Sequence, residues 1–183
     1  MLCKHHAPLT RSTRNQEERT VDVADLAARV EELEDLRALQ NLKSHYCWLL
    51  DTRRTAEAAA LFTEDGVWDG GEMFGCHEGR AAVAAYFAEI QARGLRFCLH
   101  GVLTPFLERR TATTAFGRWY LDMPATFAGE DGGPDRAIWG AAWYEDDFVK
   151  GDDGVWQVRA MRLTNHFWTP FEQGWAVQRF AGA

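Results

Sequence analysis

Two long β-prone segments, 137–150 and 155–168, face each other across Gly151-Asp152-Asp153-Gly154. A cluster of turn residues between two runs rich in aromatic and β-branched side chains specifies a hairpin. A hairpin this long needs a second layer against its apolar face. The earlier part of the chain supplies one. Leu26, Val30 and Leu33 recur at helical spacing, and Leu36, Leu39, Leu42, Tyr46 and Leu49 continue the stripe in steps of three and four. One long helix or two consecutive ones, ending near Arg53, fit this pattern. Thr55 caps a second helix over 56–62, with Glu57 in its first turn. Asp65-Gly66 turns the chain into a short strand at Val67-Trp68, and a Gly-rich loop leads to a third helix over 80–92. That helix carries Val83, Phe87 and Ile90 on one face and ends at Gly94. Segments 95–107 and 111–126 read as strands, with Pro105 weakening the far end of the first, and 171–180 reads as a short closing helix. Helices first and consecutive strands afterwards specify an α+β fold, with the helices on one face of an antiparallel sheet.

The 183 residues suit one domain over 23–180, preceded by a polar, basic, flexible tail over 1–22 with Lys4, Arg11, Arg14 and Arg19. Eight Trp and eleven Phe provide a core and suit an aromatic-lined cavity for a hydrophobic small molecule. A net charge of -7 with scattered basic residues argues against a nucleic-acid partner. No apolar run approaches the roughly 20 residues of a membrane span, and residues 1–20 lack the apolar stretch of a signal peptide. The expectation is a cytoplasmic protein with no membrane partner. Cys3, Cys47, Cys76 and Cys98 show no CxxC spacing, and Cys47 and Cys98 fall in apolar patterns that imply buried free thiols.

Three residues suggest proton transfer. Asp51 ends the long helix among apolar residues, where a carboxylate opposes the helix dipole and needs a compensating partner. Arg53 or Arg54 at the surface is one choice and a functional partner the other. His100 interrupts the apolar run Phe97–Val102, on the same strand face as Cys98 and Val102. Such a histidine is more often a satisfied core residue, but a bond from Asp51 to one ring nitrogen makes the other a usable base. Tyr46 precedes Asp51 by five residues, about 140° around a helix, so core packing and a place on a shared cavity are both open. Asn165 lies in phase with Met161, Leu163 and Phe167, where an amide needs a partner, either a substrate oxygen or backbone. His166 falls on the opposite face and reads as structural or interfacial. Glu145-Asp146-Asp147 reads as a solvated strand end. His45, His77, His100 and His166 form no metal spacing, and there is no HExxH, P-loop, GxGxxG or GxSxG. No metal and no cofactor are expected.

At this point the chain resembles a known family. The helix ending in Tyr46-x4-Asp51, the run Ala60-Leu61-Phe62-Thr63-Glu64-Asp65-Gly66-Val67-Trp68, the segment Gly79 to Phe87 and the hairpin 146–158 resemble SnoaL-like proteins of the nuclear-transport-factor-2-like superfamily. The resemblance covers about residues 24–176. It is closer to the bile acid 7α-dehydratases, through Tyr46 and Asp51, through His100 followed by Thr104-Pro105, and through Gly117 to Leu121. Scytalone dehydratases are more distant relatives. One departure is Asn165, which stands where the bile acid enzymes carry an arginine. The resemblance implies a cone-shaped, curved, mixed or antiparallel sheet closed by N-terminal helices. It also implies a cofactor-independent lyase with Tyr46, Asp51 and His100 as catalytic residues. Asn165, Trp119 and Tyr120 would contact a steroid-like, terpenoid or polyketide substrate, with strand alternation allowing only one of Trp119 and Tyr120 to face it. Isomerisation and a non-catalytic module, like an oxygenase small subunit, are the alternatives. Self-association as a dimer or trimer is expected, with Trp139, Trp143, Trp156 and Trp168 as candidate surface.

Overall fold

The computed structural model describes residues 22–181, so the expected tail lies, but for Asp22, outside the described residues. The elements run α1 (Val23–Asp51), α2 (Thr55–Ala60), β1 (Phe62–Asp69), α3 (Gly71–Phe74), β2 (Cys76–Glu78), α4 (Arg80–Ala92), β3 (Leu95–Cys98), β4 (Gly101–Arg109), β5 (Thr114–Phe127), β6 (Arg136–Lys150), β7 (Trp156–Pro170) and α5 (Gly174–Val177). Among the described residues, seven strands form one sheet in the order β2-β1-β7-β6-β5, with β3 and β4 following one another along the far edge of β5. Neighbours are antiparallel except β1 and β7, which run parallel, so the sheet is mixed. It curls into a half-barrel with the N-terminal helices across it, the cone-like architecture that the resemblance implies.

The β6–β7 hairpin closes where expected. The Gly151 N–H bonds to the Val155 carbonyl at 2.9 Å, and the Asp153 carboxylate accepts the Val155 N–H at 3.0 Å. Gly154 adopts φ 79°, a conformation that disfavours any side chain. Inward-pointing Ala142, Tyr144, Asp146 and Phe148 alternate with half-buried residues along β6.

α1 is one uninterrupted helix of 29 residues, capped by the Asp22 carboxylate on the Ala24 N–H. It packs inward from Asp35 onward, through Asp35, Leu39, Lys43, Tyr46, Cys47 and Leu49. Leu26, Val30 and Leu33 are exposed, so the apolar stripe runs past the edge of the sheet. The core gathers the rings of Tyr46, Phe62, Phe87 and Tyr144, with Tyr46 centroids 6.2, 6.1 and 6.5 Å from the other three at edge-on or tilted angles. Such geometry satisfies the ring quadrupoles.

Several expectations are corrected. The strand expected over 95–107 is broken at Leu99-His100 and resumes as β4. Thr104 adopts φ 45° and Pro105 falls within a register shift, which lets β4 continue to Arg109 despite the missing N–H. The extra residue opposite Ala141 and Ala142 is His166, a bulge in β7 that reverses alternation after Asn165. Phe167 therefore joins Trp139 and Trp175 on the outer side, and Trp168 turns inward. Of the four tryptophans expected at the surface, Trp156 and Trp168 are buried. Asp146 is fully buried rather than solvated. The closing helix shortens to α5, because Phe180 and Ala181 pair with Trp168 instead.

Candidate active site

The end of α1 is tied to the sheet edge. Arg53 takes φ 63° and sends its guanidinium to the carbonyl oxygens of Leu95 and Arg96 on β3. Arg54 pairs with Glu57 instead. Neither arginine is bonded to Asp51. The Asp51 carboxylate faces the break in the edge strand and accepts the His100 backbone N–H at 3.1 and 3.2 Å. It also meets His100 Nδ1 at 2.6 Å and the Cys98 thiol at 3.5 Å. These donors compensate a carboxylate set against the negative end of a helix dipole. A carboxylate only accepts, so Nδ1 carries the proton in this bond and the neutral ring keeps its lone pair on Nε2. The side chains of His100 and Asp51 are 7% and 17% exposed, dry enough to strengthen the bond and open enough to be reached.

His100 and Cys98 line an inner cavity of about 80 Å³ together with Tyr46, Tyr144, Leu121 and Asn165. No Lys or Arg lines it among the described residues. An outer chamber of about 570 Å³ shares Phe74, Tyr86, Ile90, Phe127 and Trp168 with it, and adds His77, Glu89, Arg93 and Arg136. Aromatic side chains are thus common to both cavities, with charged residues lining the outer one and His100 the inner one.

Tyr46 is 1% exposed, and its hydroxyl oxygen accepts the Trp68 indole N–H at 3.1 Å. Burial holds its phenol well above the ordinary value, so the hydroxyl keeps a hydrogen to donate. Asn165 lines the inner cavity. Trp119 and Tyr120 do not line this cavity. Trp119 faces inward but packs on Phe148 deeper in the core, and Tyr120 lies on the outer face beside Phe106, Arg118 and Trp143.

Sequence reasoning missed a buried ion pair beneath the site. Lys43 Nζ lies 2.9 Å from Asp146 Oδ2, with the side chains 1% and 0% exposed. The ammonium stands 3.4 Å from the ring centroid of Tyr144, and 5.2 and 5.1 Å from those of Tyr46 and Trp119. Burial, only partly offset by Lys43, pushes the Asp146 carboxyl up to about 6. Both residues carried a signal: Lys43 sits inside the stripe Leu39–Tyr46, and Asp146 is in phase with Tyr144 and Phe148. Burial also pushes the thiols of Cys47 and Cys98 up to about 12, with Asp51 adding to the effect at Cys98. The ligating atoms of Asp51, Cys98 and His100 lie within 4.8 Å of one another.

The SnoaL-like domain family matches residues 31–162. No curated protein matches this sequence. Among solved structures, a candidate scytalone dehydratase from Novosphingobium aromaticivorans is 25% identical, with a TM-score of 0.67 over 78% of this chain and 91% of that one. Hexachlorocyclohexane dehydrochlorinase LinA-type3 from Novosphingobium barchaimii is 20% identical, with a TM-score of 0.69 over 78% and 94%. ActVI-ORFA from Streptomyces coelicolor is 21% identical, with a TM-score of 0.54 over 70% and 95%. The last two likenesses are of fold.

Proposed function

We propose that this chain, which belongs to the SnoaL-like domain family, is a dehydratase that eliminates water from a hydrophobic small molecule using its own side chains alone. The observation that carries the reading is the 2.6 Å contact of His100 Nδ1 with Asp51 at the wall of an apolar cavity. Asp51 fixes the tautomer, and His100 Nε2 removes a proton from the carbon next to a carbonyl. The electron pair of that C–H bond becomes the new double bond as the C–O bond to the hydroxyl breaks. The proton held on the imidazolium passes to the departing hydroxyl, which leaves as water. Tyr46 donates a hydrogen bond to the carbonyl or leaving oxygen, and Asn165 holds a substrate oxygen.

The cavities favour a neutral reacting end, because no cationic side chain lines the inner one among the described residues. An elongated steroid-like, terpenoid or polyketide molecule places that end in the inner cavity and the rest in the outer chamber. The protein acts in the cytoplasm. The exposed stripe Leu26, Val30 and Leu33 and the outer aromatic face support self-association as a dimer or trimer, which light scattering on the purified chain measures.

Isomerisation uses the same base and the same oxygen donors. The mass of the product separates the two, since dehydration lowers it by one water and isomerisation leaves it unchanged. A ligand that copurifies with the chain, identified by native mass spectrometry, supplies the substrate. His100→Ala and Asp51→Asn then each lower turnover by about 10²–10⁴-fold while the fold is retained. Near-native turnover in both variants defeats the mechanism. A wild-type chain that binds the ligand and never converts it favours the non-catalytic module.

A further inference from the structure

The Asp51–His100 pair has a neighbour that proton transfer does not use. Cys98 Sγ lies 3.5 Å from Asp51 Oδ1, two residues before His100, and both Cys98 and His100 line the inner cavity. A sulfur, an imidazole nitrogen and a carboxylate oxygen therefore converge from the edge strand and the end of α1. We propose that Asp51, Cys98 and His100 form a three-ligand site for a thiophilic divalent cation of the Zn²⁺ or Cd²⁺ class, and that its occupancy is incompatible with proton transfer by the same pair.

Tetrahedral bonds of about 2.3 Å to sulfur and about 2.0–2.2 Å to nitrogen and oxygen place donor atoms roughly 3.3–3.6 Å apart. The Sγ–Oδ1 separation is already 3.5 Å. The Nδ1–Oδ1 separation of 2.6 Å is that of a hydrogen bond. It opens by about 0.7 Å when the cation replaces the shared proton. Three protein ligands leave a fourth position for water, and the sulfur selects against Mg²⁺ and Ca²⁺, which prefer oxygen alone.

Electrostatics act in both directions: burial of Cys98 opposes the thiolate that coordination needs, and the Asp51 carboxylate favours the cation. With its thiol pushed up to about 12, Cys98 stays protonated without a metal and is a poor nucleophile. The carboxylate that repels a thiolate attracts a cation, and coordination removes the thiol proton. The Arg53 guanidinium opposes the cation, but its hydrogen bonds to the Leu95 and Arg96 carbonyls hold it on β3. On binding, the imidazole moves its proton from Nδ1 to Nε2 and coordinates through Nδ1. Cys98 releases its proton to solvent, so one proton leaves per cation. With Nδ1 on the metal and Nε2 protonated, the ring no longer offers a base.

Isothermal titration of the full chain with Cd²⁺ tests this when run in two buffers of different ionisation enthalpy and paired with ultraviolet spectra. The expected result is one cation bound, one proton released and a thiolate-to-cadmium absorption band. Cys98→Ala and the size-conserving Cys98→Ser lose the band and weaken binding by on the order of 100-fold, the upper end of what even an outer partner of a ligand contributes. His100→Ala and Asp51→Ala weaken binding but keep the band, and circular dichroism establishes that each variant is folded. Absence of Cd²⁺ binding overturns the proposal. So does an unchanged band and affinity in both folded Cys98 variants, which assigns the metal to Cys3, Cys47 or Cys76. These measurements read metal rather than turnover, so their failure is distinguishable from failure of the dehydratase reading.

Discussion

The buried Lys43–Asp146 pair makes a quantitative prediction about stability. Neither charge touches water, and Asp146 Oδ1 has no hydrogen-bond partner among the described residues. Removing one partner of a buried pair leaves an uncompensated charge, which costs about 3–5 kcal/mol. Replacing both by apolar residues of similar volume is neutral or stabilising by up to about 4 kcal/mol. Lys43→Met and Asp146→Asn are therefore each expected to lose about 3–5 kcal/mol at pH 7, and Lys43→Met/Asp146→Leu to recover most of that loss. The pH dependence has a definite sign. The Asp146 carboxyl sits at about 6 in the folded protein against an ordinary 3.8. The folded state therefore holds this proton more readily than the unfolded chain between those values, and ionised Asp146 burdens the fold above pH 6. That burden, about 3 kcal/mol at neutral pH, is relieved as pH falls from 6 towards 4. Without Lys43 the carboxyl rises further, so the Lys43→Met deficit shrinks between pH 7 and pH 5 as Asp146 takes up its proton. Urea unfolding followed by tryptophan fluorescence at the two pH values measures each term. The reasoning is refuted if the double variant loses the sum of the single losses, or if Lys43→Met costs the same at both pH values.

Three further perturbations probe the walls of the site. At Gly140 a Cβ would lie 2.5 Å from the Trp168 ring, which lines both cavities. Gly140→Ala is expected to displace that ring, cost about 1–3 kcal/mol in urea unfolding and raise KM more than it lowers kcat. Trp68→Phe removes the indole N–H from Tyr46 while keeping an aromatic ring, and is expected to lose about 1 kcal/mol, with turnover falling because the phenol loses its orientation. Asp51→Ala strands the His100 backbone N–H, whereas Asp51→Asn still offers one acceptor. Thermal unfolding is expected to place the alanine variant about 1–3 kcal/mol below the asparagine one, and equal stabilities count against the carboxylate as the partner of that N–H.

Helical and alternating periodicities made most of the elements legible in the sequence, because burial repeats along one strand or one helix at a time. The 80–92 helix and the hairpin about 151–154 are of this kind. What periodicity does not carry is a local defect. Trp168 faces inward and Phe167 outward because of the bulge at His166, and no residue pattern near 166 marks it. The exposure of Leu26, Val30 and Leu33 reflects where the sheet ends, which the helix sequence does not record. Trp119 was misplaced for a related reason. Alternation allows only one of Trp119 and Tyr120 to face inward, but depth along the cone decides whether an inward residue meets the cavity or the core, and the Trp119 ring lies over Gly117 beside Phe148.

The candidate site joins the same two kinds of information. Asp51 and His100 are 49 positions apart, so no spacing rule connects them. Their meeting depends on a defect in the edge strand. A regular strand through 95–109 would spend the His100 N–H either on β5 or on solvent. The break at Leu99-His100 leaves that N–H without a ladder partner, while the Leu99 N–H still reaches the Pro124 carbonyl at 3.1 Å. A buried donor without a partner is costly, and the Asp51 carboxylate is the acceptor that satisfies it. The same oxygens reach Nδ1 because backbone N–H and side-chain nitrogen of one residue lie within the span of one carboxylate. The strand break thus requires an acid at the end of α1, and the acid once there orients the imidazole. Structural need and the proposed catalytic arrangement are satisfied by a single group, and that accounts for an acid in an electrostatically poor position.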